Sequence, residues 1–421
     1  MIPLHGIASR SDLPLPFEAV LVGAAVVLLI TFWVLLFAWK KPKFDDESGT
    51  PMPKLTSFVD GKPFSIGIRV VAGLIWLLAA VGLIFGVDRI DNPAVGFIYV
   101  WLWVGLVILS AILGEAYKRT NPIRSLLAFR GAAKAEPDGP ASRIPAAVAL
   151  LGFLYLELVM PGGTTLPVLR AAMAIWFVWV VVGHFIAPRW IERADPFEVY
   201  GTTVGKMSFW TRREGVIHRI NPMRNLTHWK VPKATWAVSI VLLGGTAFDA
   251  LSNTPGWVRM AQDSPIPAWI LGTLGLFGVV LLVGALYALG CSTLRQGRSL
   301  TATMNALAPG LVPLIVGYCV AHYGTMFYLE GQRTLFWFSD PLGRGDNLFG
   351  LIEATPDVSL FAFPTAVAWT QVGLIVGGHV LGVLVTHELT LRRTAEIKKQ
   401  LPLLLVMVGF TVAGLLLMFG G

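Results

Sequence analysis

Ten separate runs of about twenty mostly apolar residues dominate this chain of 421 residues. A helix needs roughly 20 such residues to cross about 30 Å of hydrocarbon, so the runs predict an all-α bundle of about ten transmembrane helices. Only 14% of the residues are charged, which is about half the share in a soluble domain. We therefore expect a single integral membrane domain over residues 1–421. The runs cover 17–39, 68–87, 94–114, 144–162, 167–187, 234–252, 268–290, 308–329, 364–386 and 401–420.

The basic residues predict an orientation for this bundle. If the N-terminus is extracytoplasmic, the loops that face the cytoplasm hold 26 of the 33 Lys and Arg residues, and the outer loops hold six. Short cytoplasmic loops carry such an excess, so both termini are predicted to be extracytoplasmic in a multi-pass protein of the cell membrane. The net charge of +8 then follows from topology and does not indicate a nucleic-acid partner.

The cytoplasmic loop 188–233 contains patterns that predict local helices. Asp195 can cap a helix that begins with proline and has Glu198 at its third position. The stretches RTNPIRSL at 119–126 and RINPMRNL at 219–226 resemble each other, and in both an Asn can cap a helix that begins with proline. Such segments are either plain helix starts or interfacial helices that bind membrane lipids or a second protein subunit. We expect the loop to be structured.

Four polar residues from four different spans fall in the outer half of the bundle: Glu157, Asp249, His322 and Gln371. Unpaired ionisable groups cost a few kcal/mol each inside a bilayer, so they face the bundle interior or a wet cavity. We expect the four to line one outward-facing cavity, with His322 and Gln371 at its floor. The long, aromatic-rich extracytoplasmic loop 331–363 would form its lid, because such long loops are usually functional or disordered. The plainer alternative is that the carboxylates reach water and that the histidine bonds a helix carbonyl.

Other histidines extend this pattern. His379 lies just inside the midplane, where it lines the same cavity or bonds a helix carbonyl. With His184 and His387 it marks steps from the outer half towards the cytoplasm, as a transporter would require. His5, before the first span, could reach over the mouth of the cavity or be an ordinary exposed residue.

A cluster of carboxylates and imidazole has more than one chemical interpretation. It is the ligand set of a divalent zinc, copper or iron site, which would make the protein a membrane enzyme. It is equally a proton relay, which would make the protein a transporter or a permease for protons or metal ions. A third alternative is a scaffold subunit of a larger complex, in which the polar residues only join helices.

Several segments of the chain resemble one family of membrane proteins. They are HGIASRSDLPLPF, ADPFEVYGTTVGKMSFW, VAHYGTMFYLEGQRTL, SDPLGRGDNLFG and QVGLIVGGHVLGVLVTHE. These segments are similar to polytopic proteins, found mainly in actinobacteria, that are labelled fenitrothion hydrolase after a membrane-bound enzyme that hydrolyses organophosphorus esters. The resemblance covers nearly the whole chain and implies a polytopic fold.

The same resemblance implies metal-dependent hydrolysis of lipophilic phosphoesters. A divalent ion would polarise the phosphoryl oxygen and lower the pKa of a bound water towards neutrality. His322, Asp249 and Glu157 would be the ligands. Glu330 or Tyr323 would assist proton transfer.

Overall fold

The computed structural model describes residues 16–44, 49–128, 142–187, 189–394 and 396–419. Within these ranges, nine helices are long and apolar enough to cross a membrane, and a further apolar helix is shorter. The protein is therefore an all-α, multi-pass bundle, as the apolar runs predicted. The bundle helices are α1 (Phe17–Ala38), α2 (Lys62–Phe85), α3 (Pro93–Leu113), α4 (Ile144–Leu158), α5 (Leu166–Ile186), α6 (Thr235–Ser252), α7 (Ala268–Ser292), α8 (Val312–Trp337), α9 (Pro364–Leu391) and α10 (Ile397–Phe419).

Short helices and one small sheet connect the bundle helices. Three strands, β1 (Thr50–Pro51), β2 (Trp210–Arg213) and β3 (Val216–Arg219), form an antiparallel sheet in the order β1-β3-β2. The short helices are Pro53–Asp60, Tyr117–Thr120, Pro122–Ala128, Trp190–Ala194, Pro196–Val204, Pro222–Thr227, Pro255–Asp263 and Leu300–Leu307. The helix starts predicted at Asn121, Asp195 and Asn221 are all present, because each side chain accepts backbone N–H bonds from the next turn.

Helix α4 is shorter than its apolar run. Its 15 residues rise about 22 Å, which is less than the roughly 30 Å of a hydrocarbon core. It packs against α6 and the helix Pro196–Val204, and Ala146, Leu150 and Leu154 are buried. Ile144 and Val148 of the same helix are 43% and 60% exposed, so α4 is buried against protein on one face only.

Contacts between loops show which loops lie on the same face of the bundle. On one face, the N–H of Leu166 donates to Asp88 at 3.0 Å. On the opposite face, Arg119 donates to the carbonyl oxygen of Val59 at 2.9 Å. Each contact joins loops that the predicted topology places on the same side. We call the second face, which carries most of the basic residues, the inner face, and the first the outer face.

The segment after α5 folds back into the bundle. The ring nitrogen of Trp190 donates to the carbonyl oxygen of Trp179 at 2.8 Å. Further towards the outer face, the ring nitrogen of Trp176, at the middle of α5, donates to Asp195 at 3.4 Å. The helix Pro196–Val204, which we call the inserted helix, thus begins at mid-depth, and all nine of its residues are buried. Short helices at this depth are tolerated where protein encloses them.

Helices α8 and α9 cross closely because glycines face each other. A Cβ atom added at Gly317 would lie 2.5 Å from the carbonyl oxygen of Leu374, and one added at Gly378 would lie 2.7 Å from that of Pro313. Gly378 and Gly382 form a GxxxG pair, which is typical of close helix packing in membranes. The crossing holds α9 against the middle of α8.

A buried carboxylate anchors the inner end of α1 to α9. Glu388 is fully buried and accepts hydrogen bonds from the backbone N–H groups of Lys43 and Phe44 at 3.1 and 3.0 Å. The ring nitrogen of Trp39 also donates to it at 3.2 Å. The adjacent His387 bonds the Trp39 carbonyl oxygen at 2.9 Å, so both residues hold the chain that leaves α1.

Helix α8 continues further than predicted, to Trp337, so the outer loop spans 338–363. The hydroxyl of Tyr328 donates to the Asp357 carboxylate at 2.6 Å. The amide of Gln332 donates to the Asp357 carbonyl oxygen at 3.2 Å. These bonds tie the loop to the outer end of α8.

Candidate functional site

Asp249, near the end of α6, accepts hydrogen bonds from two consecutive residues of α8. Its Oδ2 atom lies 3.0 Å from Nε2 of His322 and 2.7 Å from the hydroxyl oxygen of Tyr323. Since a carboxylate oxygen only accepts, the imidazole N–H and the phenol O–H are the donors. The three residues expose only 3%, 4% and 0% of their surface. We call them the Asp–His–Tyr cluster.

Neighbouring groups fix the geometry of this cluster. The Tyr318 ring lies parallel to the His322 imidazole with centroids 5.8 Å apart, and the Tyr323 ring meets the imidazole edge-on at 4.6 Å. The amide of Asn253 donates to Oδ1 of Asp249 at 3.2 Å. Both carboxylate oxygens therefore have donors, which orients the carboxylate towards α8.

Glu157 on α4 brings a second carboxyl group to the cluster. Its Oε2 atom is buried and has no hydrogen-bond partner among the described residues. The charge of Glu157 interacts with that of Asp249, and also with Tyr99, Tyr200 and Cys319. Buried side-chain oxygens without a partner are rare in native structures and call for a functional or solvent-related explanation.

The inserted helix reaches this region through Tyr200. Its hydroxyl lies 3.7 Å from Sγ of Cys319, and Cys319 precedes His322 by one helical turn. On the other side, Tyr99 donates to the carbonyl oxygen of Gly163 at 2.7 Å. Tyr99 belongs to a π-helical stretch within α3, and π-helical turns are frequent at functional sites.

Gln371 and His379 are buried on α9 but bond to the backbone. The Gln371 amide donates to the carbonyl oxygen of Ala321 at 3.0 Å, and its own oxygen has no partner among the described residues. His379 Nδ1 lies 2.7 Å from the carbonyl oxygen of Ile375, one turn back in its own helix. Gln371 therefore adjoins the Asp–His–Tyr cluster, whereas the contact of His379 corresponds to the plainer of its two predicted roles.

Glu330 lies apart from the cluster. It is two helical turns beyond His322, which is about 12 Å along α8, and its carboxylate pairs with Arg333 at 2.7 Å. Of the two residues predicted to assist proton transfer, Tyr323 belongs to the cluster and Glu330 does not.

The described residues do not assemble a metal site. Among them, no group of three His, Cys, Asp or Glu side chains lies close enough together to hold a metal ion. His322 and Asp249 are in contact, but Glu157 does not complete a ligand set with them. His5 lies outside the described residues. A zinc, copper or iron ion at these residues stays a prediction, and we derive no chemical step through it.

Sequence reasoning missed Tyr200 and Cys319. Their contact depends on the fold of the inserted helix, which begins inside a loop that the sequence placed at the inner face. The available signal was the helix start at Asp195, which predicted a helix but not its depth.

Comparisons of the chain with protein-family models, with curated proteins and with solved structures found no match. The choice of function therefore depends on the geometry of the site.

Proposed function

We propose that the protein is a proton-coupled transporter of the cell membrane and that the Asp–His–Tyr cluster is its proton-binding site. The observation that carries this proposal is the convergence of His322 and Tyr323 on one oxygen of Asp249 inside the bundle. Ionisable groups enclosed in a membrane bundle commonly belong to proton relays or substrate pathways.

Proton binding would change the contact between α6 and α8. While Asp249 is ionised, Oδ2 accepts from both donors on α8. A proton on the carboxyl group removes its charge and weakens both bonds, because hydrogen bonds to a charged acceptor are roughly twice as strong as neutral ones. A ligand shifts a conformational equilibrium by the difference in its affinity for the two states. Here that difference comes from the hydrogen bonds between α6 and α8, so proton binding changes how these two helices pack.

Two further features support a pathway through the bundle. Glu157 is a second carboxyl group within electrostatic reach of Asp249, and adjacent carboxyl groups exchange and share protons. Tyr200 of the inserted helix contacts Cys319, one turn from the cluster. Interrupted helices that end at mid-depth are a recurring element of transporter binding sites.

The proposal is tested by a rapid pH change on proteoliposomes adsorbed to a solid-supported membrane, which records charge movement without a known solute. We expect the wild-type protein to give a transient current that empty liposomes lack, and Asp249→Asn to abolish it. Glu330→Gln is the matched control, since Glu330 lies about 12 Å along α8 from His322, and it should keep the current. A wild-type protein without current, or Asp249→Asn with the full current, would contradict the proposal.

A hydrolase of lipophilic phosphoesters is the second candidate. The observation that favours it is the contact of Asp249 with the His322 imidazole, because a carboxylate that orients an imidazole is also the arrangement of a general base. The test is release of nitrophenolate from a nitrophenyl phosphotriester by the purified protein. Release that is lost in His322→Gln would support a hydrolase, and no release above that of protein-free micelles would exclude this substrate class.

A further inference from the structure

A second pair of carboxyl groups lies at the start of the inserted helix. Asp195 and Glu198 expose 0% and 1% of their surface. The amide of Asn121 donates one N–H to Oδ2 of Asp195 at 2.8 Å and the other to Oε2 of Glu198 at 2.9 Å. The two carboxyl groups therefore meet at a single nitrogen atom, and we call them the carboxyl pair.

One arginine contacts the carboxyl pair, and it bonds Glu198 only. Nε of Arg124 donates to Oε2 of Glu198 at 3.1 Å, and a second nitrogen donates to Oε1. Asp195 instead accepts from the backbone N–H of Phe197 at 3.1 Å and from the ring nitrogen of Trp176 at 3.4 Å. Two enclosed carboxylates with one guanidinium, which bonds only Glu198, resist simultaneous ionisation. One proton on the pair removes that conflict.

Tyr117 adds a hydroxyl group beside the carboxyl pair. It is 6% exposed, and its hydroxyl oxygen is buried without a hydrogen-bond partner among the described residues. It interacts electrostatically with both acids of the pair. A hydroxyl that can both donate and accept is suited to pass a proton to a carboxyl group.

Other charged groups stand further from the carboxyl pair. Glu192 lies 3.7 Å from Arg124 and 2.9 Å from Arg189, so its charge is offset by these two cations. Arg143 interacts with Glu198 only through its charge, and its guanidinium bonds the hydroxyl of Thr203 at 2.9 Å. These groups leave Arg124 as the cation in direct contact with the pair.

We infer that the carboxyl pair holds one exchangeable proton and is a second proton site on the pathway that begins at the Asp–His–Tyr cluster. This inference rests on the proposed function. The inserted helix carries both the carboxyl pair and Tyr200, whose hydroxyl contacts Cys319, one turn from His322. Only a proton moves between them, so no other reactant is required.

The pKa of Asp195 agrees with proton exchange near neutral pH. Burial, and next the charge of Glu198, raise the pKa of Asp195 to about 7. An acid of this kind binds and releases a proton within the pH range of a cell.

The test is infrared difference spectroscopy of the purified protein over a pH titration, which detects the C=O stretch of a protonated carboxyl group without any transport. We expect a carboxyl band that disappears as pH rises through about neutral and that is absent in Asp195→Asn. Asparagine is chosen because it is also a good helix cap. Glu192→Gln, a neighbouring acid outside the pair, and Asp249→Asn should both keep the band. A band that persists in Asp195→Asn would overturn the inference.

Arg124→Gln gives an independent readout that a purely structural role would not produce. Loss of a cation in contact with a carboxyl group raises the proton affinity, by about one to three pH units. The midpoint of the band should therefore move to higher pH, and a midpoint that stays or falls would overturn the inference.

The same variants separate this inference from the proposed function. If the band titrates as expected but the wild-type protein gives no pH-driven current, the proton site stands and transport fails. If the current is present but Asp195→Asn carries it at the wild-type level, transport stands and the carboxyl pair is not on its pathway.

Discussion

Removal of the Tyr323 hydroxyl isolates one hydrogen bond of the Asp–His–Tyr cluster. Tyr323→Phe keeps the ring, which is fully enclosed and meets the imidazole edge-on, so the change opens no cavity. The lost bond is 2.7 Å long and ends on a carboxylate oxygen. Bonds to charged groups contribute about 1.5–3 kcal/mol. We expect the free energy of unfolding, measured by detergent titration with circular dichroism, to fall by about that amount.

The same change should move the pH at which the proton current is half-maximal. The Tyr323 hydroxyl stabilises the ionised form of Asp249, so its removal favours the protonated form. One pH unit corresponds to about 1.4 kcal/mol. The midpoint of the current should therefore rise by about one to two pH units.

Tyr328→Phe is the matched control for Tyr323→Phe. It removes a hydroxyl from the same helix, whose bond to Asp357 is exposed. An exposed bond competes with water, so we expect a loss of less than about 1 kcal/mol and no change in the midpoint. Equal losses in both variants, or an unchanged midpoint in Tyr323→Phe, would refute the reasoning.

Three further predictions concern the bundle and its inner face. Gly378→Ala places a Cβ atom against a carbonyl oxygen of α8 and should lower the unfolding free energy by about 1–3 kcal/mol, whereas Gly377→Ala has open space and should not. Glu388→Ala leaves two backbone N–H groups without their acceptor and should cost about 2 kcal/mol or more in the same titration; a cost near zero would contradict the anchoring role. Hydrogen bonds from Arg212 and a second arginine lower the pKa of Asp60 to about 2. This contribution is present above the unfolded pKa and is lost as pH falls, so a small difference in melting temperature between wild type and Asp60→Asn should vanish from about pH 4 to about pH 2; a difference that does not change with pH would contradict it.

The spans could be predicted from the sequence because each depends on local composition. The helix Ile144–Leu158 was also located from its apolar run, although it is shorter than the run predicted. The apolar run reaches residue 162, but the helix ends at Leu158 and a turn follows; an apolar run does not show where inside it a helix ends. The inserted helix was misplaced for a related reason, since a cap at Asp195 fixes where a helix begins but not its depth.

The members of the site were only partly predictable. Asp249 and His322 could be placed near each other from the sequence, because both lie at a similar depth in apolar spans, and the structure puts them in contact. Glu330 was assigned to proton transfer only as part of the hydrolase that the family resemblance implies, and its helical position puts it beside Arg333. The contact between Tyr200 and Cys319 joins residues 119 positions apart, and neither residue type is unusual in an apolar segment.

The most direct measurement of the central claim is the pH-driven current of Asp249→Asn and Glu330→Gln, reconstituted in parallel at equal density with the wild-type protein. We expect the current to be lost in Asp249→Asn and kept in Glu330→Gln. A current of wild-type size in Asp249→Asn, or its loss in both variants, would contradict the assignment of Asp249 as the proton-binding group.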